Sequence, residues 1–212
     1  MKRFALIGAG FIGTVHARNL AAHPGITFAL VADADPARAG LLAERHGAKA
    51  VSVEAVFEAD VDAVLIASST NTHAEFMERA GAAGKAIFCE KPIDLDAARA
   101  RKAAAAVGAA GMPCMIGFNR RFDASHRAVR EAVAAGKVGK VEIVQLTSRG
   151  SEPPPIVYVK VSGGQLRDQT IHFFDLLRWL VADDAVDVYA VGAALVDPAI
   201  GEVGDVDTSL AT

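Results

Sequence analysis

The stretch "LIGAGFIG", residues 6–13, places Gly8, Gly10 and Gly13 in G-x-G-x-x-G spacing. It grows out of an apolar run, "RFALIG" (3–8), that reads as a strand, and it opens a helical run over 11–22. In a strand–turn–helix unit each glycine answers a separate need. The first permits a tight turn, the second lets backbone approach a pyrophosphate, and the third lets the helix pack on the strand. The helix start then offers unpaired N–H groups and the positive end of its dipole to the phosphates. Gly8, Gly10, Phe11, Ile12 and Gly13 are therefore the expected cofactor cradle. Asp33 closes a second strand-like run, "TFALVAD" (27–33). A carboxylate about 20 residues past the glycines can accept hydrogen bonds from an adenosine ribose. It would repel a 2′-phosphate, so NAD is expected ahead of NADP, with Arg38 the residue that speaks for NADP.

Working outward, strand-like and helical runs alternate. "PARAGLLAERHG" (36–47) reads as a helix ending at glycine, "VDAVLIAS" (61–68) as a strand, and 72–83 as a helix. "KAIFCE" (85–90) and "MPCMIGF" (112–118) read as strands, with an alanine-rich helix over 94–109 between them and another helix at 122–135. Repeated βα units with continuously apolar strands predict an α/β parallel sheet covered on both faces. The rhythm changes near residue 136. A strand is expected at 140–149, then a long proline-rich loop over 151–164, one helix over 162–180, a strand at 185–196 and the start of another in "DVDTSLAT". The expected organisation is a dinucleotide-binding domain at 1–120 and, at 121–212, a partial α+β substrate domain. Its sheet would be open and largely antiparallel, lacking its final strands.

Bulk composition narrows the class. Apolar residues make up 52% of 212, enough for a substantial core and against disorder. A net charge of −3 gives no reason to expect nucleic acid. Cys89 and Cys114 have no metal-ligand spacing and read as buried, reduced thiols in a cytoplasmic protein; no metal is expected. The basic start "MKRF" leads into a strand rather than a signal peptide, and no apolar run approaches a membrane span.

Two further elements carry candidate chemistry. "IFCEKPID" ends a strand with Glu90, Lys91 and Pro92. Ligands of open α/β sheets bind beyond the carboxyl ends of the strands, which puts Lys91 at the cofactor crevice. Pro92 limits the local backbone and is able to take a cis bond. The second element is "SGGQLRDQTIHFFDLLRWL" (162–180). At about 100° per residue, Asp168, His172, Asp175 and Trp179 share one narrow stripe of a mostly apolar helix. Arg167 and Arg178 mark its wet side. Buried charge is costly, so such a stripe is paired, lines a cavity or, on the plainer reading, faces solvent. His16 reads as helix packing, and Tyr158 and Lys160 lie where they could reach a cleft.

Together "GAGFIGTVHARNL" (8–20), "VADADPARA" (31–39), "SSTNTHAEF" (68–76), "GKAIFCEKPID" (84–94), "GFNRRFD" (117–123) and "YVKVSGGQLRDQTIHFFDLLRWL" (158–180) resemble the Gfo/Idh/MocA dehydrogenases, most of all their inositol 2-dehydrogenase branch. The resemblance implies a Rossmann domain followed by a substrate domain, and NAD-linked oxidation of a secondary alcohol of a sugar or cyclitol. It assigns Lys91, Asp168 and His172 to catalysis. Ser68, Thr70, Asn71, His73 and Glu90 fall along the cofactor. Asn119, Arg120 and Asp175 join Lys91, Asp168 and His172 around the substrate. Phe173 departs from the family, which often has an acidic residue there. Members are longer than this chain, and the full-length form is expected to be a dimer or tetramer. The alternative is a non-catalytic nucleotide-binding protein or an inactive fragment that binds NAD only.

Overall fold

Strand β1 (Lys2–Ile7) leads into helix α1 (Phe11–Ala22), and the unit repeats through β2 (Ile26–Ala32) and α2 (Pro36–His46). The computed structural model describes residues 1–212. After a two-residue β3 (Lys49–Ala50) come α3 (Val53–Glu58), β4 (Ala63–Ile66), α4 (Thr70–Ala82), β5 (Ala86–Cys89), α5 (Ala97–Ala109) and β6 (Cys114–Ile116). The six strands are parallel in the order β3-β2-β1-β4-β5-β6. Local chemistry sets the helix ends. The side chain of Asp35 accepts from Ala37 N–H ahead of Pro36, and Gly47 ends α2 in the left-handed region at φ 68°. Asp96 caps α5 in the same way.

The pleat divides the apolar residues between two faces. Ile7, Val64, Ile66, Ile87, Met77 and Val107 form one cluster, while Leu6, Leu65, Leu20, Phe28, Val31 and Leu42 form another. Neighbours in sequence, such as Leu6 and Ile7, point to opposite faces, which is why the strands read as unbroken apolar runs. Lys85 is the buried cation of this region; its Nζ donates to the carbonyls of Ala59 at 2.6 Å and Val61 at 3.4 Å. This unit is Met1–Gly117, and Phe118–Thr212 is the second.

The second unit begins with a 3₁₀ turn (Asn119–Phe122) and α6 (Ala124–Ala134), whose N-terminal amides at Ser125 and His126 donate to Asp123. There follow α7 (Ile156–Ser162), α8 (Ile171–Val181), β7 (Ala190–Ala193), α9 (Pro198–Glu202) and β8 (Thr208–Ala211). β7 and β8 pair antiparallel, from Ala190 opposite Ala211 to Ala193 opposite Thr208. Four expectations need correction here. Residues 140–149 form no strand, because no neighbour supplies the ladder that defines one. The expected strand at 185–196 is a strand only over Ala190–Ala193, with Tyr189 adding a backbone pair to Thr212. The expected single helix over 162–180 is divided. Gly163 and Gly164, at φ 87° and 78°, break it from α7, and Leu166–Thr170 is a π-helical turn that runs into α8. Helix α7 itself lies where a loop was expected. No helix is long and apolar enough to cross a membrane.

Candidate functional site

The glycine loop shows why its residues are glycines. Gly8 sits at φ 108°, and a Cβ there would overlap the backbone of Ala67 and Ser68 at the end of β4. A Cβ on Gly13 would strike the carbonyl of Gly8. Gly10 is different. Its φ is −75° and a Cβ would meet nothing within 4 Å. The protein does not itself require a glycine at position 10, which suits a position kept bare for close approach of a ligand. Phe11 and Ile12 follow as exposed residues at the start of α1. Asp33 holds the loop from the adjacent strand end, accepting from Ala9 N–H at 2.6 Å and from Asp35 N–H at 2.8 Å. A carboxylate has about four lone-pair positions, so these bonds leave acceptor capacity for a ribose.

β1 pairs with β2 on one side and β4 on the other, so the strand order reverses there. Such a reversal opens the crevice in which dinucleotides lie. Ser68 follows β4 and bonds Thr72 through their hydroxyls at 2.7 Å, and Thr70 and Asn71 begin α4. His73, expected along the cofactor, is 2% exposed. Its Nδ1 lies 2.8 Å from the Pro92 carbonyl and its Nε2 3.0 Å from the Ser68 carbonyl. That placement makes it a clasp beneath the crevice, tying the end of β4 to the corner that carries Lys91. The peptide bond between Lys91 and Pro92 is cis.

Glu90 stands at the end of β5. Its Oε1 is 2.7 Å from His16 Nε2, and its Oε2 accepts from Lys91 N–H at 3.3 Å. The His16 ring meets Phe88 edge-on, with centroids 5.3 Å apart. A helix-packing histidine was expected; a carboxylate partner 74 residues away was not. Cys114, expected to be buried, is exposed on the edge strand β6; Cys89, beside Glu90, is buried, and that burial pushes its thiol well above the usual range. It is therefore an inert packing group.

In the second unit the Asn119–Phe122 turn packs on α8. Phe118 meets the His172 ring edge-on at 6.4 Å, and the Arg120 guanidinium lies 6.0 Å from the centre of the Phe173 ring. Arg121 binds Asp175 with both arms, Nε at 2.8 Å and an Nη at 2.5 Å. The Asp175 side chain is only 8% exposed, so the charge-assisted fork balances its burial. A buried carboxylate implies a cation, but nothing in the sequence pairs residue 175 with residue 121. Tyr158 donates to Asp168 Oδ2 at 3.0 Å. Partial burial, the Asp168 charge and that bond push the phenol up to about 12. Asp168 thus belongs to a polar group that also includes α7. The π-turn spacing means that the distance from Asp168 to His172 along the helix is not an ordinary α-helical turn. Arg167 and Arg178 are exposed, as the stripe arithmetic predicts.

The start of this helical segment is anchored by Gln165. Its N–H donates to the Asp205 carboxylate and its Nε2 donates to the Asp207 carbonyl at 2.6 Å. No group of three or more His, Cys, Asp or Glu side chains is arranged to hold a metal ion.

Residues 2–118 match the family profile described as oxidoreductase family, NAD-binding Rossmann fold, and residues 126–212 match the GFO/IDH/MocA C-terminal domain. An inositol 2-dehydrogenase of Rhizobium meliloti (strain 1021) is 48% identical over 207 residues, covering 97% of this chain and 63% of the relative. The crystal structure of a myo-inositol dehydrogenase from Corynebacterium glutamicum superposes with a TM-score of 0.91 at 40% identity, over 100% of this chain and 64% of that one. A scyllo-inositol dehydrogenase from Lactobacillus casei, solved with NAD(H) and scyllo-inositol, superposes with a TM-score of 0.84 at 26% identity, over 100% of this chain and 65% of that one. The chain thus spans less than two thirds of the length of these relatives. With both halves of the sequence matched in order, the chain belongs to the GFO/IDH/MocA oxidoreductases, the family with an NAD-binding Rossmann fold.

Proposed function

We propose that this chain carries the cofactor site and the catalytic residues of an NAD-dependent dehydrogenase that oxidises a secondary alcohol of a cyclitol or sugar, of the inositol 2-dehydrogenase type. The observation that carries the reading is the Glu90-Lys91-Pro92 corner. It stands at the carboxyl end of β5, in the same sheet as a glycine loop left bare at Gly10, and His16 and His73 hold it from two sides. The residues present fit the dinucleotide. Gly8, Gly10, Phe11, Ile12 and Gly13 with the start of α1 would hold the pyrophosphate, and Asp33 the adenosine ribose. Ser68, Thr70, Asn71 and Glu90 would line the rest. When bound, the nicotinamide supplies the acceptor for the hydride.

The remaining work falls to side chains. Lys91 donates a hydrogen bond to the reacting hydroxyl oxygen and stabilises negative charge as it develops there. His172 accepts the hydroxyl proton as general base. Asp168, steadied by Tyr158, favours the imidazolium that results. Asn119, Arg120 and Asp175 contact or orient the other hydroxyls, Asp175 through its fork with Arg121. The similarity to inositol dehydrogenases makes inositol isomers the first substrates to try.

The test is a polyol panel with NAD, read by absorbance of the reduced cofactor, alongside NADH binding by fluorescence. His172→Ala is expected to lower turnover by about 10²–10⁴ while NADH binding survives. Binding without turnover of any polyol would favour the nucleotide-binding alternative. Loss of both in the variant would indicate misfolding.

A further inference from the structure

We propose that His16 is a positioning residue: through Glu90 it sets the acceptor at the nicotinamide end of the cofactor crevice. The inference rests on the dinucleotide reading above and adds a residue to it. The sheet order supplies the first step. Asp33 ends β2, on one side of the reversal at β1, and Glu90 ends β5, on the other. A dinucleotide across such a reversal places its two nucleoside halves on opposite sides. With the adenosine half at Asp33, Glu90 meets the other half.

The second step is the fit of Glu90. Its side chain is 14% exposed and that of His16 is 16% exposed, so both are largely but not wholly withdrawn from solvent. An ionised carboxylate only accepts, so the imidazole Nε2 is the donor to Oε1 at 2.7 Å. The ring that donates is itself oriented by Phe88. From the other side Gly117 closes the space: a Cβ there would lie 3.0 Å from Oε2 and 3.1 Å from Cδ. The carboxylate is thus set between an imidazole and a bare backbone position. Its Oε2 carries the long bond from Lys91 N–H and retains acceptor capacity for a ribose hydroxyl. A helix-packing histidine would need neither the carboxylate nor the bare glycine. α1 also carries the pyrophosphate cradle at its start, so the same helix serves both halves of the cofactor.

The experiment measures NADH and ADP binding to the 212-residue chain and its variants, with melting temperature as a control. ADP lacks the nicotinamide nucleoside, so damage confined to Glu90 is invisible to it. His16→Ala is expected to weaken NADH binding about tenfold, the scale of one lost hydrogen bond to a charged group, with ADP binding unchanged. His16→Gln, which offers an amide donor at similar reach, is expected to restore most of the loss. Gly117→Ala, which displaces the carboxylate from the opposite side, is expected to weaken NADH and spare ADP. The proposal is overturned if His16→Ala leaves NADH binding intact, if NADH and ADP weaken together, or if Gln rescues no better than Ala. A parent chain that binds neither ligand would overturn it too, by refuting the dinucleotide reading on which it stands.

Discussion

In the parallel-sheet unit Leu6, Ile7, Leu65 and Ile66 are closed off on both faces of the sheet, whereas every residue of β7 and β8 in the second unit is exposed. The buried apolar side chains of the second unit are Val159, Leu176, Leu180 and Ile200. Its order relies more on polar clasps: Arg121 with Asp175, Gln165 with Asp205, and Asp207 with three consecutive amides at Leu195, Val196 and Asp197. A two-stranded sheet is marginal on its own. The difference teaches that a doubly covered sheet is specified by area removed from water, while the second unit depends on a few directional contacts whose loss is felt one at a time.

Trp179, the single tryptophan, lies in α8, so its fluorescence follows the second unit while far-UV circular dichroism follows both. The largest expected effect is that of Ile66→Ala, which empties a fully buried site in the middle of the sheet and costs about 4 kcal/mol. Denaturant unfolding should shift by circular dichroism while the Trp179 transition stays put. Transitions that move together would erase the contrast between the units. Next comes Arg121→Leu, which strands a carboxylate that is almost fully buried. Because the guanidinium itself is partly exposed, the expected loss is about 2 kcal/mol, seen in Trp179 fluorescence first. An unmoved fluorescence transition would mean that the fork contributes nothing to this unit.

The smallest expected effect is acid sensitivity at Asp207. Chiefly the amide of Asp197, with those of Leu195 and Val196 and the Thr208 hydroxyl, holds its carboxyl at about 2 against an ordinary 3.8. A lowered folded value stabilises the fold above the ordinary one, and that contribution disappears as pH falls through about 2. Stability of the second unit should therefore decline in strong acid, and Asp207→Asn should flatten the decline. A variant whose acid profile matches the parent would remove Asp207 from the account.

The contrast also explains which features were legible. The parallel sheet could be read from "RFALIG", "TFALVAD" and "VDAVLIAS" because burial on both faces writes itself as unbroken apolar runs. The glycine loop was legible for a similar reason, since backbone crowding at Gly8 and Gly13 admits no other residue. In the second unit the signals misled. "SGGQLRDQTIHFFDLLRWL" has helical periodicity, but Gly163, Gly164 and the π turn interrupt it. "VEIVQLTSRG" has strand character and no partner. Periodicity records which faces are apolar; it does not record whether a neighbour is there to cover them.

Sequence alone determined the order of βα units and the place of the glycine loop, because each is written in local spacing, and its resemblance to a family singled out Lys91, Asp168 and His172 as candidates. Only the tertiary structure decided what holds them. His16 meets Glu90 across 74 residues, Arg121 meets Asp175 across 54, and His73 turns inward to clasp Pro92. Those pairings arise from the need of each buried charge or ring nitrogen for a partner. The partner a fold brings within 3 Å is fixed by strand order and helix packing, which no local pattern encodes.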